Sequence, residues 1–264
     1  MGIPLGKYSP YLEGNRMQTY VILWMVVSVA LVSGTLFFLK PRFASFGIPL
    51  FLLACPISGI IGLAAPPDLS VAMLDHPERE HLRYIFLFLA AFLFGVSALV
   101  HFRNPSPGMK KSTLAVLTLV SIPAFCEFGW EFTHHYLYPD ALKDWVTQGR
   151  NANEFIKNYD TAAFISIGVL GRLIQFSLTI GLSITLYRLG QIKIWSPILI
   201  LLFGFMGMVS AIVVFVTQMN FPKGFEFLFL FFIPGIPFLL LFWLGVALLT
   251  NRREGETGFP QNHS

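Results

Sequence analysis

The sequence is short of charge. Only 12% of its 264 residues are Asp, Glu, Lys or Arg, against about 25% in a soluble domain. With 55% hydrophobic residues beside it, that shortage excludes a water-soluble globular enzyme and a disordered chain. The formal net charge of +4 does not make a nucleic-acid binder, because the basic residues of so apolar a chain belong in its cytoplasmic connections. Cysteine is nearly missing: Cys55 and Cys126 both lie inside apolar runs, which rules out a disulfide framework and a cysteine-rich metal site. The apolar runs do not alternate with polar residues, so a β-barrel is rejected as well.

Long apolar runs are what the chain has. A spanning helix needs about 20 mostly apolar residues, because roughly 30 Å of hydrocarbon is crossed at 1.5 Å per residue. Seven stretches qualify: Thr19–Leu39, Phe46–Ala65, Tyr84–Phe102, Ser112–Tyr138, Thr161–Tyr187, Trp195–Thr217 and Phe227–Thr250. Backbone polar groups in lipid must be paired within the segment, so each is expected to be a helix. The expected fold is an all-α, polytopic membrane bundle. It forms one domain over residues 1–251, followed by a polar tail over 252–264 that reads as disordered. Pro49 and Pro56 interrupt the second stretch, which is expected to be kinked or partly re-entrant. The first stretch is too long for a signal-peptide core, and Leu39-Lys40-Pro41 is no cleavage site, so it reads as a retained anchor.

Basic residues orient the bundle. Lys40 and Arg42, then Arg103, Lys110 and Lys111, then Arg188 and Lys193 occupy the first, third and fifth connections, and Arg252 and Arg253 follow the last helix. The second and fourth connections are longer and carry Asp68, Asp75, Glu78, Glu80, Asp140, Asp144, Glu154 and Asp160. The arrangement that places cations inside has the N-terminus outside and the C-terminus in the cytoplasm. It implies an integral multi-pass protein of a plasma membrane or bacterial inner membrane. A short interfacial helix is expected over Leu142–Ile156 in the fourth connection.

Further absences narrow the function. The last stretch has no lysine for a retinal Schiff base. It has Pro234 and Pro237 but no Asn-Pro-x-x-Tyr run, and the third ends Val100-His101-Phe102-Arg103 without the receptor triplet. Helix count alone does not make a receptor. Neither a channel filter nor matched broken helices of a carrier is present.

Three ionisable residues remain inside apolar stretches: Glu127, Glu131 and Arg172. Each costs about 2.5–3.5 kcal/mol there on the lenient insertion scale, so each should face protein or a wet cavity. Glu127 lies eleven positions below the outer end of its stretch, and Arg172 lies eleven below the start of the next. Both are therefore about 16 Å down, and a Glu127–Arg172 pair is predicted, with Glu131 one turn nearer the outside. At 100° per residue, Glu127, Glu131, His134, His135 and Tyr138 share a ~100° arc. Phe125, Phe128 and Phe132 take the opposite face.

Two readings of this cluster stand. One is a structural ion pair locking the fourth and fifth helices. The other is a functional cavity, in which two carboxylates share one arginine and an under-compensated carboxylic acid serves as a membrane acid or proton relay. In the second reading Glu131, Glu127 and Arg172 are the catalytic candidates, and Trp130, Tyr136 and Gln175 contact substrate. No cofactor is required, and the expected partners are the bilayer and a hydrophobic small-molecule substrate.

Histidines gather in the outer half: His76, His81, His134 and His135. The spacings Glu78 to His81 and Glu131 to His134 resemble those of carboxylate-bridged di-metal sites. These four are the weak metal candidates, against a plainer role as interfacial caps of helix ends.

The run Phe125-Cys-Glu-Phe-Gly-Trp-Glu-Phe-Thr-His-His-Tyr-Leu-Tyr-Pro139 looks like the Asn-Phe-x-Trp-Glu…Tyr-Pro signature of the integral-membrane terpene cyclases. That resemblance would make Glu131, beside Trp130, an acid protonating an epoxide or alkene. The Asp that this family carries in its last helix has no counterpart here. The last four stretches resemble, in layout only, the emopamil-binding sterol isomerase group. Both resemblances imply isoprenoid or sterol substrates and carbocations held by Trp130, Tyr136 and nearby Phe. The alternatives are a non-enzymatic transporter, sensor or subunit with a structural Glu–Arg pair, and a metal-dependent membrane oxidoreductase.

Overall fold

A computed structural model describes residues 71–103, 108–219, 223–232 and 235–256, together with Ile22, Val26, Ala30 and the short stretch 57–59. All regular structure among the described residues is helical. The helices are α1 (Pro77–Arg103), α2 (Lys111–Tyr136), α3 (Tyr138–Thr147), α4 (Ala152–Asn158), α5 (Ala162–Arg188), α6 (Trp195–Thr217), α7 (Phe229–Phe232) and α8 (Gly235–Glu256). Among the described residues, three stretches are long and apolar enough to cross a membrane: Lys111–Thr147, in which α2 runs on into α3, then α5 and α6. Length and composition make the chain a membrane protein.

The expected Trp195–Thr217 coincides with α6, and the fourth and fifth stretches match α2 and α5 to within two residues. The first two stretches lie almost wholly outside the described residues. Three differences are informative. The third helix starts at Pro77, seven residues before the apolar run. Its first turns carry Glu78, Arg79, Glu80 and Arg83, which a hydropathy reading leaves in the loop. The expected Leu142–Ile156 helix is two helices, because Gly149 at φ +73° turns the chain between α3 and α4. The last stretch opens in a short 3-10 turn (Glu226–Leu228), and its described residues continue as α7 and α8. α8 itself continues to Glu256, five residues into the polar tail.

Helix ends follow local chemistry. Thr161 caps α5, its hydroxyl accepting from Phe164 N–H at 3.3 Å, and Asn151 caps α4 by accepting from Asn153 N–H at 2.9 Å. Gly190 at φ +68° ends α5, with its own N–H bonded to Tyr187 O and that of Gln191 bonded to Leu186 O. This double closure satisfies carbonyls that the helix leaves open.

The helices pack in the order α1, α2, α5, α6, with α8 against α5 and α6. Close approach of α5 and α6 depends on Gly204 and Gly207, where Ile180 and Phe176 occupy the space a side chain would need. Phe94, Phe128, Phe132 and Phe238 build the centre, with Phe128 stacked on Phe238 at 5.0 Å and on Phe132 at 5.5 Å. Beyond the end of α2, α3 and α4 pack with Met73 around Tyr138 and Leu142. Phe128 and Phe132, expected opposite the polar stripe, are core residues.

Candidate functional site

Arg172 is the hub of the interior. It projects from the middle of α5 and is 0% exposed. A guanidinium in such a place must spend its N–H groups on protein. Nε donates to the carbonyl of Phe232 at 2.7 Å, just where α7 ends. Nη1 donates to Gln175 Oε1 at 2.9 Å and to Glu127 Oε2 at 3.2 Å. Nη2 donates to Glu131 Oε2 at 2.5 Å. The rings of Phe128 and Phe232 each lie 5.6 Å from the guanidinium carbon, within cation–π range.

Geometry along each helix makes this convergence possible. Glu127 and Glu131 are four apart on α2, and Arg172 and Gln175 three apart on α5, so each pair shares one helix face. Gln175 closes the square by donating Nε2 to Glu127 Oε2 at 2.5 Å. α2 approaches α5 closely at Gly171, where a Cβ would collide with Glu127 Cγ and Cδ. The two carboxyls differ in access: the Glu127 side chain is 6% exposed and that of Glu131 15%, beside a fully sealed Arg172.

The structure therefore brings Glu127, Glu131, Arg172 and Gln175 into one network, as depth and spacing predicted for the first three. It does not bring Trp130 there. That indole is 44% exposed and stands edge-on to Phe164 at 5.4 Å. Its helical position, about 100° round from Glu131, turns it away from the network. Tyr136 is also elsewhere: it packs on His81 (4.7 Å) and Phe88 (5.8 Å) of α1, on the side of α2 away from Glu127. Both thus stand apart from the network with which the sequence grouped them. An apolar groove of about 370 Å³ runs between α1 and α2, lined by residues that include Phe92, Leu99, Ile122 and Phe125, and it occupies the α2 face opposite Glu127.

A second set of charges was missed. Arg79, Glu80 and Arg83 at the start of α1 are buried. Arg83 Nη1 donates to Glu80 Oε2 at 3.3 Å and to the Tyr84 hydroxyl at 3.0 Å. Tyr84 stacks on His135 at 5.9 Å and lies within electrostatic range of Glu131. The signal was present: positions 79, 80, 83, 84, 87, 90, 91 and 94 repeat at three and four, and all are buried.

The outer histidines separate into two groups. His76 Nδ1 lies 3.6 Å from Glu78 and His81 Nε2 lies 3.8 Å from Asp140. His134 and His135 instead converge with Asp160, the three ligand atoms all within 4.8 Å of one another. The four histidines do not form one site, and Asp160, unassigned from sequence, belongs with two of them. Tyr159 lies against this group, its hydroxyl donating to His134 O at 2.7 Å. Burial pushes the Tyr159 phenol up to about 12, with Asp160 adding in the same direction.

No protein-family model matches the chain, and no curated protein or solved structure is similar enough to count as a match.

Proposed function

We propose that the chain is a seven-span membrane protein, N-terminus outside and C-terminus cytoplasmic. In this reading the Glu127–Arg172–Glu131 network is an acid centre acting on a lipid or isoprenoid substrate. Glu131 is the acid that meets substrate. Glu127 and Gln175 hold the Arg172 guanidinium, which in turn fixes the Glu131 carboxyl and tunes its charge. The observation that carries this division is access: Glu131 is bonded to the same guanidinium as Glu127, yet its side chain is the most exposed of the three. A carboxyl that is both anchored and reachable suits proton donation, whereas a sealed one suits support. The resemblance of Trp130-Glu131 to the membrane terpene cyclases favours the same residue as acid.

A second reading has its own support. The fit of Glu127 against Gly171 and the hydrogen bonds from Arg172 favour a structural lock between α2 and α5 in a non-enzymatic transporter, sensor or subunit. The two readings part at Glu131, whose loss need not open the Glu127–Arg172 pair.

The test is untargeted lipid profiling of cells making the native protein or Glu131→Gln, at matched levels of folded protein. The acid reading predicts that at least one isoprenoid or lipid species changes when the variant replaces native protein. Identical profiles, with the variant folded in the membrane, would leave the structural lock as the better account.

A further inference from the structure

His134, His135 and Asp160 make a second centre above the acid network. His134 and His135 sit on the last turn of α2, and Asp160 lies in the connection just before the Thr161 cap of α5. Their ligand atoms fall within 4.8 Å of one another, and His134 Nε2 is already 3.0 Å from Asp160 Oδ1. We propose that these three side chains bind one divalent first-row transition cation, of which Zn²⁺ is the type, with a fourth position left open for water.

The donor set fits that cation class. Two imidazole nitrogens and one carboxylate oxygen suit zinc and its neighbours, whereas magnesium and calcium take mainly oxygen. Three protein ligands and one open position is the stoichiometry of reactive zinc centres. Metal–ligand bonds of about 2.0–2.2 Å in a tetrahedron place ligands roughly 3.3–3.5 Å apart. The His134–Asp160 edge, at 3.0 Å, is close to that already, and the other two are within 4.8 Å.

The frame holds the ligands in place before any ion arrives. His134 and Asp160 are 26 residues apart, and the α3–α4 hairpin between them folds back to bring them together. Tyr159 fastens the junction: its hydroxyl bonds the His134 carbonyl and its ring lies 4.2 Å from the His134 ring. Phe164 stacks on His134 at 3.8 Å from the other helix. Tyr84 stacks on His135 at 5.9 Å. Both imidazoles are thus walled by aromatic rings, which limits rotation and leaves the carboxylate side free. Side-chain exposures of 21% for His134 and 36% for Asp160 give a cation a route in from the outer face.

His76 and His81 are not part of the set, since each lies beside a different carboxylate.

The test uses untagged, full-length protein in detergent, stripped with a chelator and titrated with Co²⁺ and then Zn²⁺. The expected result is one cation per chain with a dissociation constant in the micromolar range or tighter. Tetrahedral Co²⁺ absorption should develop and be displaced by Zn²⁺. His134→Ala and Asp160→Asn should each weaken binding at least tenfold, and His81→Ala should leave it unchanged. If His134→Ala does not fold, His135→Gln decides on the same scale. Glu131→Gln should bind the cation as the native protein does, which separates this inference from the acid reading below it. Absence of saturable binding at one cation per chain would overturn the proposal. So would native-like affinity in a folded His135→Gln, Asp160→Asn double variant.

Discussion

Arg172 Nη1 reaches Glu127 Oε2 at 3.2 Å across 45 positions of chain, tying the centre of α5 to the centre of α2. Neither group has water to fall back on, so removing one leaves the other as an uncompensated buried charge. Arg172→Met should cost about 3–5 kcal/mol of stability. The double variant Arg172→Met, Glu127→Gln should recover part of that loss, because Glu131 can rehydrate at its partly open position. Denaturant unfolding in detergent micelles measures both, and a double variant no better than the single would place the cost elsewhere.

Gly171 and Gly129 make a matched pair for testing how tightly the network is packed. A methyl group on Gly171 would collide with the Glu127 side chain, whereas one on Gly129 meets nothing within 4 Å. Gly171→Ala should therefore destabilise by about 1–3 kcal/mol. Gly129→Ala should be neutral or stabilising by up to about 1 kcal/mol, since alanine is the better helix former. Thermal unfolding of the two variants side by side is sufficient, and equal midpoints would contradict the close approach of α2 and α5.

The network was readable in advance because depth along two antiparallel apolar runs is a matter of counting. Equal distances from one loop put Glu127 and Arg172 at one level, and a charge in hydrocarbon needs a partner. The same hydropathy logic failed at Arg79, Glu80 and Arg83. It treats charge as a mark of loop, yet these three are buried on the first turns of α1 by pairing with one another and with Tyr84. It also failed at Phe227–Thr250, where the carbonyl of Phe232 accepts from Arg172 at the end of the short α7. Hydropathy registers side chains and cannot register a backbone carbonyl used as a partner. Trp130 and Tyr136 lie apart from the network for another reason: proximity in sequence to Glu131 says little about which side of a helix a residue takes.

Tyr84 supplies the acceptor that helps hold Arg83 inside α1. Tyr84→Phe removes the 3.0 Å bond from Arg83 Nη1 and leaves that nitrogen with the Glu80 carboxylate at 3.3 Å. A loss of about 1–3 kcal/mol is expected, as for a buried donor that loses a partner. Chemical unfolding checks it; an unchanged midpoint would mean that water replaces the hydroxyl.

Tyr159 gives a pH-dependent signature. Its phenol is raised from 10 to about 12, so the fold favours the neutral form. Its contribution is complete below pH 10 and is lost as pH rises from 10 through about 12. Tyr159→Phe should remove about 1 kcal/mol at neutral pH through the missing bond to His134 O. It should also shrink the tyrosinate absorbance change near pH 12 and flatten the alkaline loss of stability. A tyrosinate change lost near pH 10 instead of near pH 12 would show the hydroxyl to be free in solution.

The most direct measurement is labelling of the native protein in its membrane with a hydrophobic carbodiimide, which modifies a carboxyl that it can reach from the apolar phase. The modified position is read by fragmentation of the peptide that spans Glu127 and Glu131. Selective modification at Glu131, with Glu127 untouched and activity or lipid profile shifting in proportion, is the outcome expected of an anchored acid open to substrate. Labelling of neither residue, or of both alike, would contradict a division of labour between the two carboxyls around Arg172.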